Sequence, residues 1–388
     1  MKKILSALSG LGLWAASAAH AQPVPAGVEM QPAATALAHE VHFFHNAILM
    51  PIITVISFIV LALLIWVMVR YNAKANPVAR KFSHNTLVEI IWTGIPILIL
   101  LAIAIPSFDL LFKEDVIPDG KQVVVRGDGQ TVDFVFPNDF GDASRMVASR
   151  EHLQVILDDG ATRRTLKYGA DYKATGWRER DLVVSLSAPA PAGTSVIVRG
   201  GRSTQNVSEC AYAQRYFGGC EREVIMAPSM TLRVTGYQWN WQYAYPDFGD
   251  FDFFSNMLAE DQTTPELYRF AVDNHIVVPV GETVRVTTTA NDVIHAFAVP
   301  AFAIKIDAVP GRFNETWFRA EKEGVYYGQC SEICGVKHSF MPIAVEVVSR
   351  PKFEAWVDSK RALAGLEPMF DADQVKLALA DSAAAAAE

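Results

Sequence analysis

The stretch Cys330-Ser331-Glu332-Ile333-Cys334-Gly335-Val336-Lys337-His338-Ser339-Phe340-Met341 brings two thiols, an imidazole and a thioether into twelve residues. These are soft or borderline ligands, and they select copper over magnesium or calcium. A single blue-copper site uses one Cys, two His and a weak axial Met, so the second cysteine is one thiolate too many for it. Two cysteines four apart on a tight loop can aim both sulfurs inward and bridge two metals. The pattern predicts a dinuclear copper centre, whose chemistry is electron transfer. Two other readings stand beside it. Cys330 and Cys334 can form a disulfide in an oxidising compartment, although His338 and Met341 then have no use. A Cys2His zinc site is the third, disfavoured because zinc seldom takes Met.

Working outward, the loop needs one more ligand. His295, in Asp292-Val293-Ile294-His295-Ala296-Phe297, is the best-placed candidate. Its apolar setting also suits a buried structural histidine. Most of the other histidines (His20, His39, His42, His45, His84) lie far upstream. The segments Met230 to Val234, Ile276 to Val280, Thr283 to Thr289, Val325 to Tyr327 and Ile343 to Val348 show strand-like, β-branched alternation with turn residues between them. They predict a Greek-key sandwich or barrel that holds the ligand loops at one end. Trp239 and Trp241 alternate within Gly236 to Tyr243. On one strand they would share a face and pack a core, or present a ring at an interface. Asp247, Asp250 and Asp252 predict an acidic rim beside such a ring. Lys352 to Leu363 reads as a short helix, and the tail after Asp371 is Ala-rich.

The N-terminal half is of another kind. Lys2 and Lys3, an apolar run from Ile4 to about Ala19 and Ala19-His20-Ala21 before Gln22 have the form of a secretory signal over residues 1–21. An uncleaved anchor helix is the alternative. Leu49 to Met68 carries no charge, and Ile90 to Phe108 is a second apolar run interrupted by Pro96 and Pro106. Each is long enough to cross a bilayer core of about 30 Å. They predict a hairpin over 22–112, with helices at about 46–70 and 88–112. The connection carries Arg70, Lys74, Arg80 and Lys81 and no acid, which places it in the cytoplasm and both chain ends in the periplasm. Trp66 and Trp92 fall near the cytoplasmic ends, where an aromatic belt belongs. Glu89, at the cytoplasmic mouth of the second helix, is either a solvated flank or a proton-accepting group.

Composition narrows the partners. The 388 residues carry a net charge of −8, which argues against nucleic acid and favours a basic electron carrier. Among four cysteines there is no Cys-x-x-Cys-His, so no covalently attached haem is encoded.

Taken together, the signal, the hairpin, Gln238-Trp239-x-Trp241, Asp292 to Phe297, Asp307-Ala308-Val309-Pro310-Gly311-Arg312 and Cys330 to Met341 resemble subunit II of haem–copper cytochrome c oxidases. The resemblance implies an α+β membrane protein. Its parts would be a two-helix transmembrane hairpin and a periplasmic, all-β, cupredoxin-like Greek-key domain over 229–350, followed by the helix and tail of 351–388. It implies a CuA centre bridged by Cys330 and Cys334. One copper would be completed by His295 and Met341, the other by His338 and the Glu332 carbonyl. The Glu332 carboxylate would hold magnesium or manganese shared with subunit I. Trp239 would receive electrons from cytochrome c, Asp292 would be an acidic docking position, and Glu89 would open a proton path. The implied setting is the bacterial inner membrane, with subunits I and III as partners and dioxygen reduction coupled to proton pumping as the activity of the whole. A membrane-anchored copper carrier or assembly protein is the rival. A quinol-oxidase relative is disfavoured because every copper ligand is present.

Residues 120–228 depart from this pattern. About a hundred residues stand where a short connector is expected, with strand-like runs at Val132 to Phe136, Leu153 to Leu157, Leu182 to Leu186 and Ser195 to Val198. They predict an inserted small β-rich domain in an accessory or docking role. Cys210 and Cys220 at its end predict a disulfide that stabilises by roughly 2–3 kcal/mol.

Overall fold

The computed structural model describes residues 24, 27–78, 83–115, 117–118, 121–136, 153–159, 163–175, 182–200 and 228–370. The signal segment, Arg80, Lys81, the Cys210 and Cys220 pair and the Ala-rich tail lie outside the described residues.

Two long apolar helices come first. Helix α1 (Ala36–Phe43) starts on Thr35, whose Oγ1 accepts a hydrogen bond from the Ala38 N–H at 3.0 Å. A π-helical stretch, Phe44–Leu49, carries the rod into α2 (Met50–Arg70). The rod therefore begins well before residue 46, because its first turns carry His and Glu and escape a hydropathy reading. The second membrane helix is α3 (Thr86–Asp115), which contains Pro96 and Pro106. Both rods are long and apolar enough to cross a membrane. Their side chains point outward as lipid demands, with Leu64 56% and Leu98 67% exposed.

The far ends of the rods are tied to the C-terminal domain. Buried Lys113 pairs with buried Glu40, and with Asp109 at 3.4 Å. Trp317 Nε1 donates to the Lys113 carbonyl at 3.3 Å. Ala34 forms backbone hydrogen bonds with Ala301 and Glu321, both at 2.9 Å, and Thr35 Oγ1 donates to the Phe302 carbonyl at 3.0 Å. Buried charges are tolerated here because they are paired; stripping one partner from such a pair is strongly destabilising.

The inserted segment forms two antiparallel sheets from β1 (Lys121–Arg126), β2 (Asp133–Phe136), β3 (Leu153–Asp158), β4 (Arg163–Thr165), β5 (Tyr172–Thr175), β6 (Leu182–Leu186) and β7 (Ser195–Gly200). Their orders are β1-β7-β3-β4 and β2-β6-β5. Alternate residues turn inward, as a sheet with one wet face requires. Leu182, Val184 and Leu186 of β6 meet Leu153, Val155, Val196 and Val198 in one core.

The C-terminal domain is a larger sandwich of β8 (Met230–Tyr237), β9 (Asn240–Tyr245), β10 (Phe251–Ser255), β11 (Ile276–Pro279), β12 (Thr283–Ala290), β13 (His295–Val299), β14 (Ile304–Ala308), β15 (Asn314–Arg319), β16 (Gly324–Cys330) and β17 (Pro342–Val348). One sheet runs β10-β9-β8-β12-β15 and the other β11-β17-β16-β13-β14. Parallel pairs β8–β12 and β11–β17 mark the crossovers that distinguish it from a simple meander. Trp241, Tyr243, Tyr245, Phe297 and Phe302 fill the space between the sheets. Helix α4 (Arg350–Leu363) closes one edge with Phe353 and Val357.

Two expectations are corrected here. Trp239 and Trp241 do not share a strand face: β8 ends at Tyr237, Trp239 lies on the turn, and Trp241 enters the core from β9. Nor do the three aspartates rim Trp239. Asp247 and Asp250 follow β9, about 20 Å along the strand from that turn by the strand rise, and Asp252 lies on β10 opposite Ala244. There Asp247 accepts from the Thr231 N–H, Asp250 pairs with Arg233 at 2.8 Å and Asp252 accepts from Gln242.

Candidate metal centre

All the soft ligands meet at one end of the C-terminal sandwich. Strand β16 ends on Cys330, and β13 begins on His295; Phe297 of β13 pairs with Cys330 in register. The loop between β16 and β17 then returns Cys334, His338 and Met341 to the same point. The contacts form a chain. His295 Nδ1 lies 3.9 Å from Cys330 Sγ, which lies 3.8 Å from Cys334 Sγ. Cys334 Sγ in turn lies 3.6 Å from His338 Nδ1 and 3.5 Å from Met341 Sδ. The Glu332 carbonyl is 3.3 Å from Cys330 Sγ. His295, Cys330, Cys334 and Met341 are buried. The two thiols are free, at a separation far beyond a disulfide's roughly 2.05 Å, so the disulfide reading of this loop fails.

The neighbours of this cluster fix its geometry. Asp292 Oδ1 accepts from His295 Nε2 at 2.9 Å, which turns Nδ1 toward the thiols. Asp292 Oδ2 accepts from the Gln238 N–H at 2.7 Å. Both carboxylate oxygens are thus engaged with protein groups, a role the sequence reading of Asp292 as a docking position did not contain. Gln238 Nε2 and Trp239 Nε1 both donate to the Cys334 carbonyl, at 2.8 and 3.2 Å. Trp241 Nε1 donates to the Met341 carbonyl at 3.1 Å. A Cβ added at Gly236 would stand 2.7 Å from the His295 ring, so only glycine lets the imidazole lie flat on β8. The hairpin turn therefore grips the ligand loop through its backbone. Gly236 carried no signal beyond adjacency to the tryptophan motif, and Gln238, a member of that motif, none for this clasp.

Electrostatics favour a cation at this point. Burial works against the Cys330 thiolate, but the hydrogen bonds of His295, Ala296 and Glu332 outweigh it and pull the thiol down. Burial and then the neighbouring Cys330 charge push the Cys334 thiol up. One proton leaves easily, and the second leaves when a metal replaces it. Burial lowers His295, yet Cys330 and Asp292 raise it overall; burial raises Asp292, yet its bonds to His295, Val293 and Gln238 hold it below the usual carboxylate range. The donor set of two thiolates, two imidazoles, a thioether and a carbonyl fits copper, and the thioether argues against zinc.

Elsewhere the expected residues are apart from this cluster. Glu89 sits in the first turn of α3, where its Oε1 accepts from the Asn85 N–H at 3.2 Å. The Glu332 carboxylate joins no metal-ligating group among the described residues.

Comparison with known proteins bears on both halves of the chain. Residues 230–348 match the family described as cytochrome c oxidase subunit II, periplasmic domain, and residues 23–110 match its transmembrane domain. The chain belongs to the cytochrome c oxidase subunit II family. A probable cytochrome c oxidase subunit 2 of Rickettsia bellii is 35% identical over 94% of this chain and 95% of its own length. Cytochrome c oxidase subunit 2 of Cereibacter sphaeroides is 30% identical over 92% and 90%. The solved periplasmic domain of subunit II of cytochrome oxidase from Bradyrhizobium japonicum is 51% identical over 36% of this chain and 97% of that one, with a TM-score of 0.34. As a subunit II, the chain is a component of a cytochrome c oxidase complex in which it associates with subunit I; catalysis belongs to the complex. The family implies copper. The insert falls between the two matched regions.

Proposed function

We propose that this chain is the electron-accepting subunit of a cytochrome c oxidase in the bacterial inner membrane, with both termini and the sandwich in the periplasm. The convergence of His295, Cys330, Cys334, His338 and Met341 within successive contacts of 3.5–3.9 Å carries this reading. Cys330 and Cys334 would bridge two coppers, His295 and Met341 would complete one, and His338 with the Glu332 carbonyl the other. Bound there, the CuA pair supplies a one-electron relay between cytochrome c and the haem of subunit I.

The chain's own residues prepare that relay. Trp239 lies half-buried against the core with its indole N–H on the Cys334 carbonyl, so one hydrogen bond links a ring near the surface to a ligand residue. Asp292 orients the His295 ring, and β13 and β16 hold the ligand residues still, so an electron's arrival would demand little rearrangement of them. Glu89, at the start of α3, would open a proton path, and the Glu332 carboxylate would meet magnesium or manganese at the boundary with subunit I. Subunit III would complete the membrane assembly, and the whole would reduce dioxygen to water while pumping protons.

The test is spectroscopic. Full-length chain in detergent, loaded with copper, is expected to turn purple and to show one unpaired electron shared over two equivalent coppers. A signal from a single isolated copper refutes the dinuclear reading.

A further inference from the structure

The ligand loop is held at both ends by one residue that supplies no ligand. The turn spanning Thr264 to Ala271 is pinned to the sandwich: Leu267 and Phe270 pack on Tyr327 and Ala344, and the Phe270 and Tyr327 rings meet edge-on at 6.4 Å. Between those anchors stands Arg269. Its backbone is left-handed, with φ at 73°, a conformation that strains any residue with a Cβ. Its carbonyl accepts from Gln329 Nε2 at 3.4 Å, and Gln329 immediately precedes Cys330. Its guanidinium carbon lies 4.8 Å from the centre of the Phe340 ring, and Phe340 immediately precedes Met341. A cation over a ring face is attracted by the ring's quadrupole.

We propose that Arg269 is a positioning residue that braces the copper loop at both ends, at Gln329 and at Phe340, and sets a fixed positive charge beside the centre. The proposal rests on the copper reading above. Bracing lowers the freedom of Cys330 and Met341 before metal arrives, so affinity rises without a new ligand. The charge has a second effect. Reduction removes one positive charge from the copper pair, so a neighbouring cation favours the reduced form and raises the potential.

The variants Arg269→Gln, Arg269→Gly and Arg269→Lys in the full-length chain test the Phe340 contact and the charge, since each keeps the backbone carbonyl that meets Gln329. Two quantities are measured: copper affinity by competition with a chelator, and reduction potential by titration of the visible band. Arg269→Gln and Arg269→Gly are expected to bind copper about tenfold more weakly and to have a lower potential than wild type. Arg269→Lys keeps the charge and is expected to retain the potential and most of the affinity. Glycine accepts a positive φ without strain, so the metal-free Arg269→Gly chain should melt no lower than wild type; its copper defect then cannot be a folding defect. Wild-type affinity and potential in Arg269→Gln and Arg269→Gly overturn the proposal, and so does an Arg269→Lys chain as defective as Arg269→Gln. If those two variants behave as wild type while wild type holds its copper pair, Arg269 fails and the centre stands; a wild-type chain that takes up no copper pair overturns both.

Discussion

The insert and the C-terminal domain are built alike, as two sheets with alternate side chains turned inward, but their interiors and rims differ. The insert's core is mainly aliphatic, with Phe134 and Tyr172 its aromatic members. The C-terminal core is crowded with Trp241, Tyr243, Tyr245, Phe297, Phe302 and Phe318. At one end of it a loop returns three ligand side chains, Cys334, His338 and Met341, to Cys330 and His295 at the strand ends, and indole and amide N–H groups tie that loop down. Among the described residues the insert gathers no metal-ligating group. The difference lies in polar groups grafted onto the rim of a sandwich, not in the sandwich itself. Aromatic packing contributes by keeping that rim rigid, and Trp241 does both, filling the core and donating to the Met341 carbonyl.

Removing one side chain from the rim and removing the whole insert should give opposite results, and this is the largest expected effect. Cys334→Ser is expected to abolish the shared-electron copper signal completely, whereas a chain joining Asp119 directly to Ser229 keeps it. Loss of copper from the shortened chain would show that the two sandwiches are functionally inseparable.

A smaller effect is expected one shell out. Asp292→Asn leaves His295 in place but removes the charge that orients its ring. Copper affinity should fall by about 10–100-fold while the chain stays folded, as read by chelator competition and melting. Unchanged affinity would mean that the Asp292 clasp is a packing detail.

The smallest effect concerns two neighbouring phenols inside the aromatic core. Tyr245 Oη donates to the Val277 carbonyl and accepts from the Val277 N–H, both at 3.0 Å. The Tyr243 hydroxyl is buried with no hydrogen-bond partner among the described residues. Tyr245→Phe should cost about 1–2 kcal/mol in melting experiments, and Tyr243→Phe should cost nothing or stabilise slightly. Burial raises the Tyr245 phenol above its ordinary value near 10. The neutral hydroxyl's contribution is therefore complete below about pH 10 and is lost as pH climbs towards the raised value. Tyr245→Phe should blunt that alkaline loss, and an unchanged alkaline profile would contradict the assignment.

Much of this was legible in the residues. Ligand spacing marked the centre because soft donors at short range have few other uses, and period-2 runs marked β8, β11, β12, β16 and β17. Trp239 was legible as important but not as a turn residue, because a hairpin whose turn residues are Gln238 and Trp239 lacks the usual Asn-Gly signal. The acidic residues after β9 misled for the same reason: once the turn is placed, they belong to the other end of the strand. Arg269 was invisible, since a lone arginine outside any motif announces neither a positive φ nor a stacked partner.

Gly236 lies under the His295 ring with no room for a methyl group, and Gly328 is tighter still: a Cβ there would stand 2.0 Å from the Ala298 carbonyl. Neither residue touches an electron or a metal. Each nonetheless leaves no space for a side chain, so two positions that offer no chemistry of their own set how closely the strands around the ligand residues approach.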